Sequence, residues 1–109
     1  MTEPARLPAH IEVSGLLRRV QQDGGFATVL ARGEPDAGTI LVILADRAAT
    51  LRAFERIPQL SGERRWSLAR EQDAADPSSF DEWLERRRQQ DPDLWIIELD
   101  VPCGERFIS

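Results

Sequence analysis

Five consecutive apolar residues, Ile40-Leu41-Val42-Ile43-Leu44, constrain this chain more than any other feature. A half-exposed strand alternates apolar and polar side chains, whereas this run is apolar on both faces. The stretch Thr39 to Asp46 therefore reads as a strand in the middle of a sheet, and the rest of the chain has to supply the sheet around it.

The neighbouring segments provide strands at short spacing. Phe26 to Arg32 reads as one, Thr50 to Arg56 as a half-exposed one ended by Ile57-Pro58, and Arg64 to Arg70 as a fourth, with Trp66 and Leu68 facing in. Leu94 to Leu99 reads as a well-buried strand, and Arg106-Phe107-Ile108 as a last edge pairing. Between Phe26–Arg32 and Thr39–Asp46 stand Gly33-Glu34-Pro35-Asp36-Ala37-Gly38. Proline fixes φ, aspartate bonds amides two residues on and glycine accepts unusual backbone angles, so turn chemistry explains each residue and the segment is expected to close a hairpin.

Helices are expected in two places. Leu7, Ala9, Ile11 and Val13 alternate as a short strand would, while Val13, Leu16, Leu17 and Val20 fall on one helical stripe. The reading adopted is a strand up to Val13, then a helix from Ser14 to Asp23, ended by Gly24-Gly25. The second helix starts near Asp76-Pro77, with Ser79 and Glu82 at capping-box spacing, and runs to Gln90 with Phe80, Trp83 and Leu84 inward. The sum is an α+β fold: a mainly antiparallel sheet of about five to six strands, with two helices packed on one face. At 109 residues it is expected to be a single domain, with 1–6 as a flexible tail.

Composition excludes several chemistries. All 14 basic residues are arginine, so there is no lysine for a Schiff base or for a phosphate-cradling Walker motif. One cysteine, Cys103, forbids an intramolecular disulfide. A net charge of −5 opposes sequence-independent nucleic-acid binding. With no apolar leader and no membrane-length run, the chain is expected to be cytoplasmic and free of membrane contacts.

Taken together, Leu16-Leu17-Arg18-Arg19, Gly25-Phe26-Ala27, Arg32-Gly33 with Pro35-Asp36-Ala37-Gly38, and Asp91-Pro92-Asp93-Leu94-Trp95 with Glu98 resemble a family of short alphaproteobacterial proteins, domain of unknown function 1491. The resemblance covers nearly the whole chain and implies a compact domain without an assigned activity.

Three constellations are candidates for chemistry. Asp36, Asp91 and Asp93 lie in two acidic turns which, if they met, would offer oxygens to a divalent metal, with Glu34 and Glu98 as further ligands. Arg18, Arg32 and Arg106 would form an anion contact if they converged. His10 and Cys103 are the sole histidine and cysteine, and a dyad would need them paired. The arginines of Arg86-Arg87-Arg88 have helical partners in Glu82 (to Arg86) and Glu85 (to Arg88), and Arg18-Arg19 with Arg64-Arg65 would serve nucleic acid only from one face. No cofactor is expected. The leading expectation is a module without catalysis that binds a protein partner or a second copy of itself as a homodimer, because an open sheet leaves an edge to cover. The alternative is an enzyme or regulatory domain with its metal or anion site at the two acidic turns.

Overall fold

The structure, a computed structural model, describes residues 7–45, 50–58, 60–62 and 64–108. The expected tail, the expected strand end at Asp46 and the turn residue Glu63 lie outside the described residues. Helix α1 spans Ala9–Gln22 and α2 spans Ser78–Gln90. The strands are β1 (Phe26–Ala31), β2 (Ile40–Ala45), β3 (Arg52–Pro58), β4 (Arg64–Glu71) and β5 (Trp95–Asp100).

They form a five-stranded sheet in the order β1-β5-β2-β3-β4. β2 is central and fully apolar, as its sequence requires. β5 is antiparallel to β1 and parallel to β2, while β2, β3 and β4 form an antiparallel meander. The fold is α+β, and its sheet has five strands.

Four expectations need correction. Residues Ala9 to Val13 belong to α1, not to a strand: Ala9, Val13, Leu16 and Val20 make one helical stripe, and all four are buried. Pro8 precedes the first turn, where the missing N–H costs nothing. Second, β1 and β2 do not pair, because β5 lies between them; Gly33 to Gly38 cross over the start of β5 instead of closing a hairpin. Third, Arg106 and Phe107 lie in a 3-10 turn, Gly104–Phe107, that packs beside α1 and β2. Fourth, the helices cover opposite faces. Ile40, Val42 and Leu44 pack with α1, whereas Leu41 and Ile43 pack with Phe80 of α2. A strand apolar at successive positions needs cover on both sides, and the two helices supply it.

Ion pairs tie each helix to the meander. Glu12 of α1 accepts from Arg56 at 2.7 Å and lies 3.6 Å from Arg64, and Glu55 of β3 accepts from Arg87 of α2 at 2.8 Å. The expected Arg88–Glu85 pair forms at 3.4 Å, but Arg86 does not reach Glu82. Hydrogen bonding from Arg52 holds the Glu105 carboxyl below its ordinary range.

One helical residue is unexplained by packing. Gly15 sits in mid-α1, and a Cβ there would meet nothing within 4 Å. Glycine in a helix interior costs about 0.5–1 kcal/mol relative to alanine. Gly15→Ala should therefore raise the melting temperature by roughly 3–6 °C in a thermal scan. A fall would show that the site has no room.

Candidate functional site

The crossover from β1 to β2 is where the acidic turns were expected to act, and its residues have structural duties. The Glu34 N–H donates to Asp93 O at 3.0 Å, and Trp95 Nε1–H donates to Glu34 O at 2.8 Å. The Glu34 carboxylate accepts from the amides of Asp36 (2.9 Å) and Ala37, folding the turn upon itself. Gly33 and Gly38 allow close approach to β5. A methyl on Gly33 would stand 2.7 Å from the carbonyl carbons of Asp93 and Leu94, and one on Gly38 would stand 2.5 Å from Asp93 O.

The same turn caps α1. The first N–H groups of a helix have no partner within it, and Pro8 offers no side-chain cap. Here Ala9 N–H donates to Asp36 O at 3.0 Å and His10 N–H to Pro35 O at 2.8 Å. His10 Nδ1 also lies 2.9 Å from Pro35 O, an arrangement that puts the proton on Nδ1.

The two acidic turns therefore do meet, through backbone. In the second turn the Asp91 carboxylate accepts from the Asp93 amide at 3.1 Å. Asp36 and Asp93 are exposed, and Glu98 lies in mid-β5, away from both turns. Among the described residues, no three His, Cys, Asp or Glu side chains group as metal ligands.

The three arginines of the anion contact do not converge. Arg32 stacks over Trp95 at the start of β5, 5.6 Å from the ring centroid. Arg106 pairs with Asp23 and stacks over Phe107, beyond the end of β5. Arg18 is exposed on α1. His10 and Cys103 are likewise separated: His10 opens α1, and Cys103 follows β5 at the end where α1 terminates. Arg64 bonds toward α1 while Arg65, the next residue in β4, points to the opposite face, so the arginine pairs do not share one surface. Trp95 is buried and Trp66 and Trp83 are half-buried beneath Arg56 and Arg87. Leu68, expected inside, is exposed on the edge strand β4.

What the residue-by-residue reading missed is the pattern of exposed apolar side chains. Two lie on β1, Phe26 (67% exposed) and Leu30 (46%), and two lie just before and in the first turn of α1, Leu7 (57%) and Ile11 (45%). The signal for β1 was present as an absence of charge from Phe26 to Ala31, but only the strand order shows that this segment is an edge.

No helix among the described residues is long and apolar enough to cross a membrane. The chain is similar over residues 7–109 to a family described as protein of unknown function (DUF1491). Its fold matches the crystal structure of a DUF1491 family protein from Caulobacter crescentus CB15, with 35% identity, a TM-score of 0.82, and 95% of this chain and 96% of that one covered. An NMR structure of a DUF1491 family protein from the same organism matches at 33% identity, TM-score 0.81, over 97% and 96% of the two chains. A solution structure of an A. tumefaciens protein matches at 31% identity, TM-score 0.69, over 89% and 87%. No curated protein matches the chain. With a family model that spans nearly its full length, the chain belongs to the DUF1491 family.

Proposed function

We propose that this protein is a non-catalytic module that works by self-association through the outer edge of β1. The observation that carries this reading is the contrast between the two sheet edges. β4 carries Arg64, Arg65, Arg70 and Glu71, and charge of this kind is how soluble proteins keep an edge from pairing. β1, Phe26-Ala-Thr-Val-Leu-Ala31, carries no charge and no proline. Its one irregularity lies between Val29 and Ala31, at Leu30, so Phe26 to Val29 keep an unbroken register with β5 and Leu30 stands at the end of that stretch.

The register is self-complementary. Antiparallel pairing of two β1 strands about Thr28 sets Phe26 of one copy opposite Leu30 of the other. It also sets Ala27 opposite Val29. Each exposed apolar residue then gains an apolar partner, and two five-stranded sheets join into one. The Asp100 and Glu98 carboxylates, opposite Phe26 and Thr28 on β5, flank the seam on the side facing away from α1.

The test is sedimentation equilibrium over a concentration series. A dimer is expected for the natural sequence. Phe26→Lys with Leu30→Lys puts like charge and buried ammonium groups into the seam, and should raise the dissociation constant at least 100-fold, about 2.7 kcal/mol. Leu68→Lys on β4 should leave it unchanged. A chain that stays monomeric at every concentration, or a dimer indifferent to the β1 charges, would overturn the reading.

A further inference from the structure

A second surface, on the α1 face of the sheet, is independent of the β1 edge. Between α1 and the meander runs a groove of about 590 Å³, and a smaller hollow of about 430 Å³ shares Leu7, Glu12, Ile40 and Arg56 with it. The floor is Leu16, Ile40 and Trp66, and Phe107 forms part of the wall. Both volumes would suit a small ligand, but Leu7 and Ile11 stand largely in water on the rim. Only a partner larger than the hollow would cover them.

Charge and shape identify the partner. Among the described residues, Arg18, Arg19 and Arg56 line the groove against a single acid, Glu12, in a chain of net charge −5. Glu12 is already engaged by Arg56 and approached by Arg64. Neither Arg18 nor Arg19 makes an ion pair among the described residues. On α1, Ile11, Gly15 and Arg18 follow one another at four- and three-residue steps, a stripe distinct from the buried one. At its centre is the glycine whose Cβ would meet nothing within 4 Å among the described residues. A bare backbone between the exposed Ile11 and Arg18 allows another helix to approach closely.

We propose that this groove docks an amphipathic helix of a partner protein, its apolar face laid against Ile11, Ile40 and Trp66 and its acidic flank toward Arg18 and Arg19. This is the helix-in-groove mode, in which apolar residues at i, i+3, i+4 and i+7 fill the trough. Flanking charge fixes orientation and excludes basic competitors.

The experiment uses the full chain and a panel of fluorescein-labelled 20-residue peptides, each with a varied apolar stripe at that spacing and either glutamate or lysine flanks, read by fluorescence anisotropy. Acidic-flank peptides should bind at least tenfold tighter than their lysine counterparts. Gly15→Trp, which fills the trough from a half-buried helix position that lines it, should weaken them at least tenfold while circular dichroism and melting temperature are retained. Arg18→Glu with Arg19→Glu should reverse the flank preference. Equal affinity for both flanks, binding indifferent to Gly15→Trp, or no binding across the panel would overturn the proposal. So would two other occupants. If Gly15→Trp changes the sedimentation behaviour, a second copy fills the groove; if Gly15-dependent binding appears with phosphatidylglycerol vesicles in place of peptide, a membrane surface does. The β1 lysine variants should bind the acidic peptides as the natural sequence does, so loss of the dimer and loss of docking are separately visible.

Discussion

Replacing Phe80 by alanine should lower the unfolding free energy by about 3–5 kcal/mol, the range for removing a buried aromatic ring. Phe80 is fully buried and packs with Leu41, Ile43, Ala53, Leu94 and Ile96. It is also the one buried residue of α2, whose other inward side chains, Trp83 and Leu84, are only partly covered. Phe80 is thus the deepest anchor of the helical layer on that face, with Trp83, Leu84 and the Arg87–Glu55 ion pair around it. Against a total stability of about 5–15 kcal/mol for an ordinary domain, the loss should appear as a fall in melting temperature of roughly 15–30 °C. Trp83, with its ring centroid 5.9 Å from that of Phe80, supplies a fluorescence report of the detachment. Urea unfolding followed by that signal and by circular dichroism checks the effect. A loss below about 1 kcal/mol would mean that α2 is held chiefly by other contacts.

Gly33→Ala is the second large effect, expected at about 3 kcal/mol, the upper end of the cost of overpacking. The added methyl would press on the carbonyl groups of Asp93 and Leu94. Those are backbone atoms, which cannot rotate aside as a side chain could. Relief requires the crossover to lift from β5, and lifting it strains the Glu34–Asp93 and Trp95–Glu34 hydrogen bonds together with the cap on α1. Denaturant titration of Gly33→Ala beside Gly15→Ala makes the comparison internal. The same chemical change should destabilise at one glycine and stabilise at the other, because one is pressed against backbone and the other faces open space. Equal effects would refute this account of the crossover.

Local pattern disclosed the elements better than their arrangement. β1, β2, β4, β5 and α2 fall where alternation, apolar runs and the Asp76-Pro77 signal put them, while β3 starts at Arg52 and runs on through the Ile57-Pro58 pair expected to end it. The start of α1 was obscured because Leu7, Ala9, Ile11 and Val13 satisfy a period of two, while Ala9, Val13, Leu16 and Val20 satisfy a helical one. Pro8 was the available cue, since proline is at home where a helix begins. The crossover looked like a hairpin because its six residues suit either, and nothing local reveals that a strand from the far end of the chain separates β1 from β2. The apolar run of β2 did carry the two-sided cover in its sequence, which placing both helices on one face overlooked. The acidic turns were named as a site only on the condition that they met, and they meet through backbone. Their roles, a backbone latch and a helix cap, depend on carbonyls that every residue type possesses, so no side-chain pattern could announce them.

The position of β5 has a consequence for how the chain acquires its shape. β5 is laid between β1 and β2, and its partners in β1 are about seventy residues earlier in sequence. Until it is synthesised, β1 has no neighbour, β2 has only β3, and α1 lacks half of the sheet face it covers. The crossover that caps α1 has nothing to latch onto either. The amino-terminal half of the fold is thus completed by its carboxy-terminal strand, which makes folding a late, long-range closure. A chain emerging from the ribosome would hold its uncharged β1 segment unpaired through most of its synthesis.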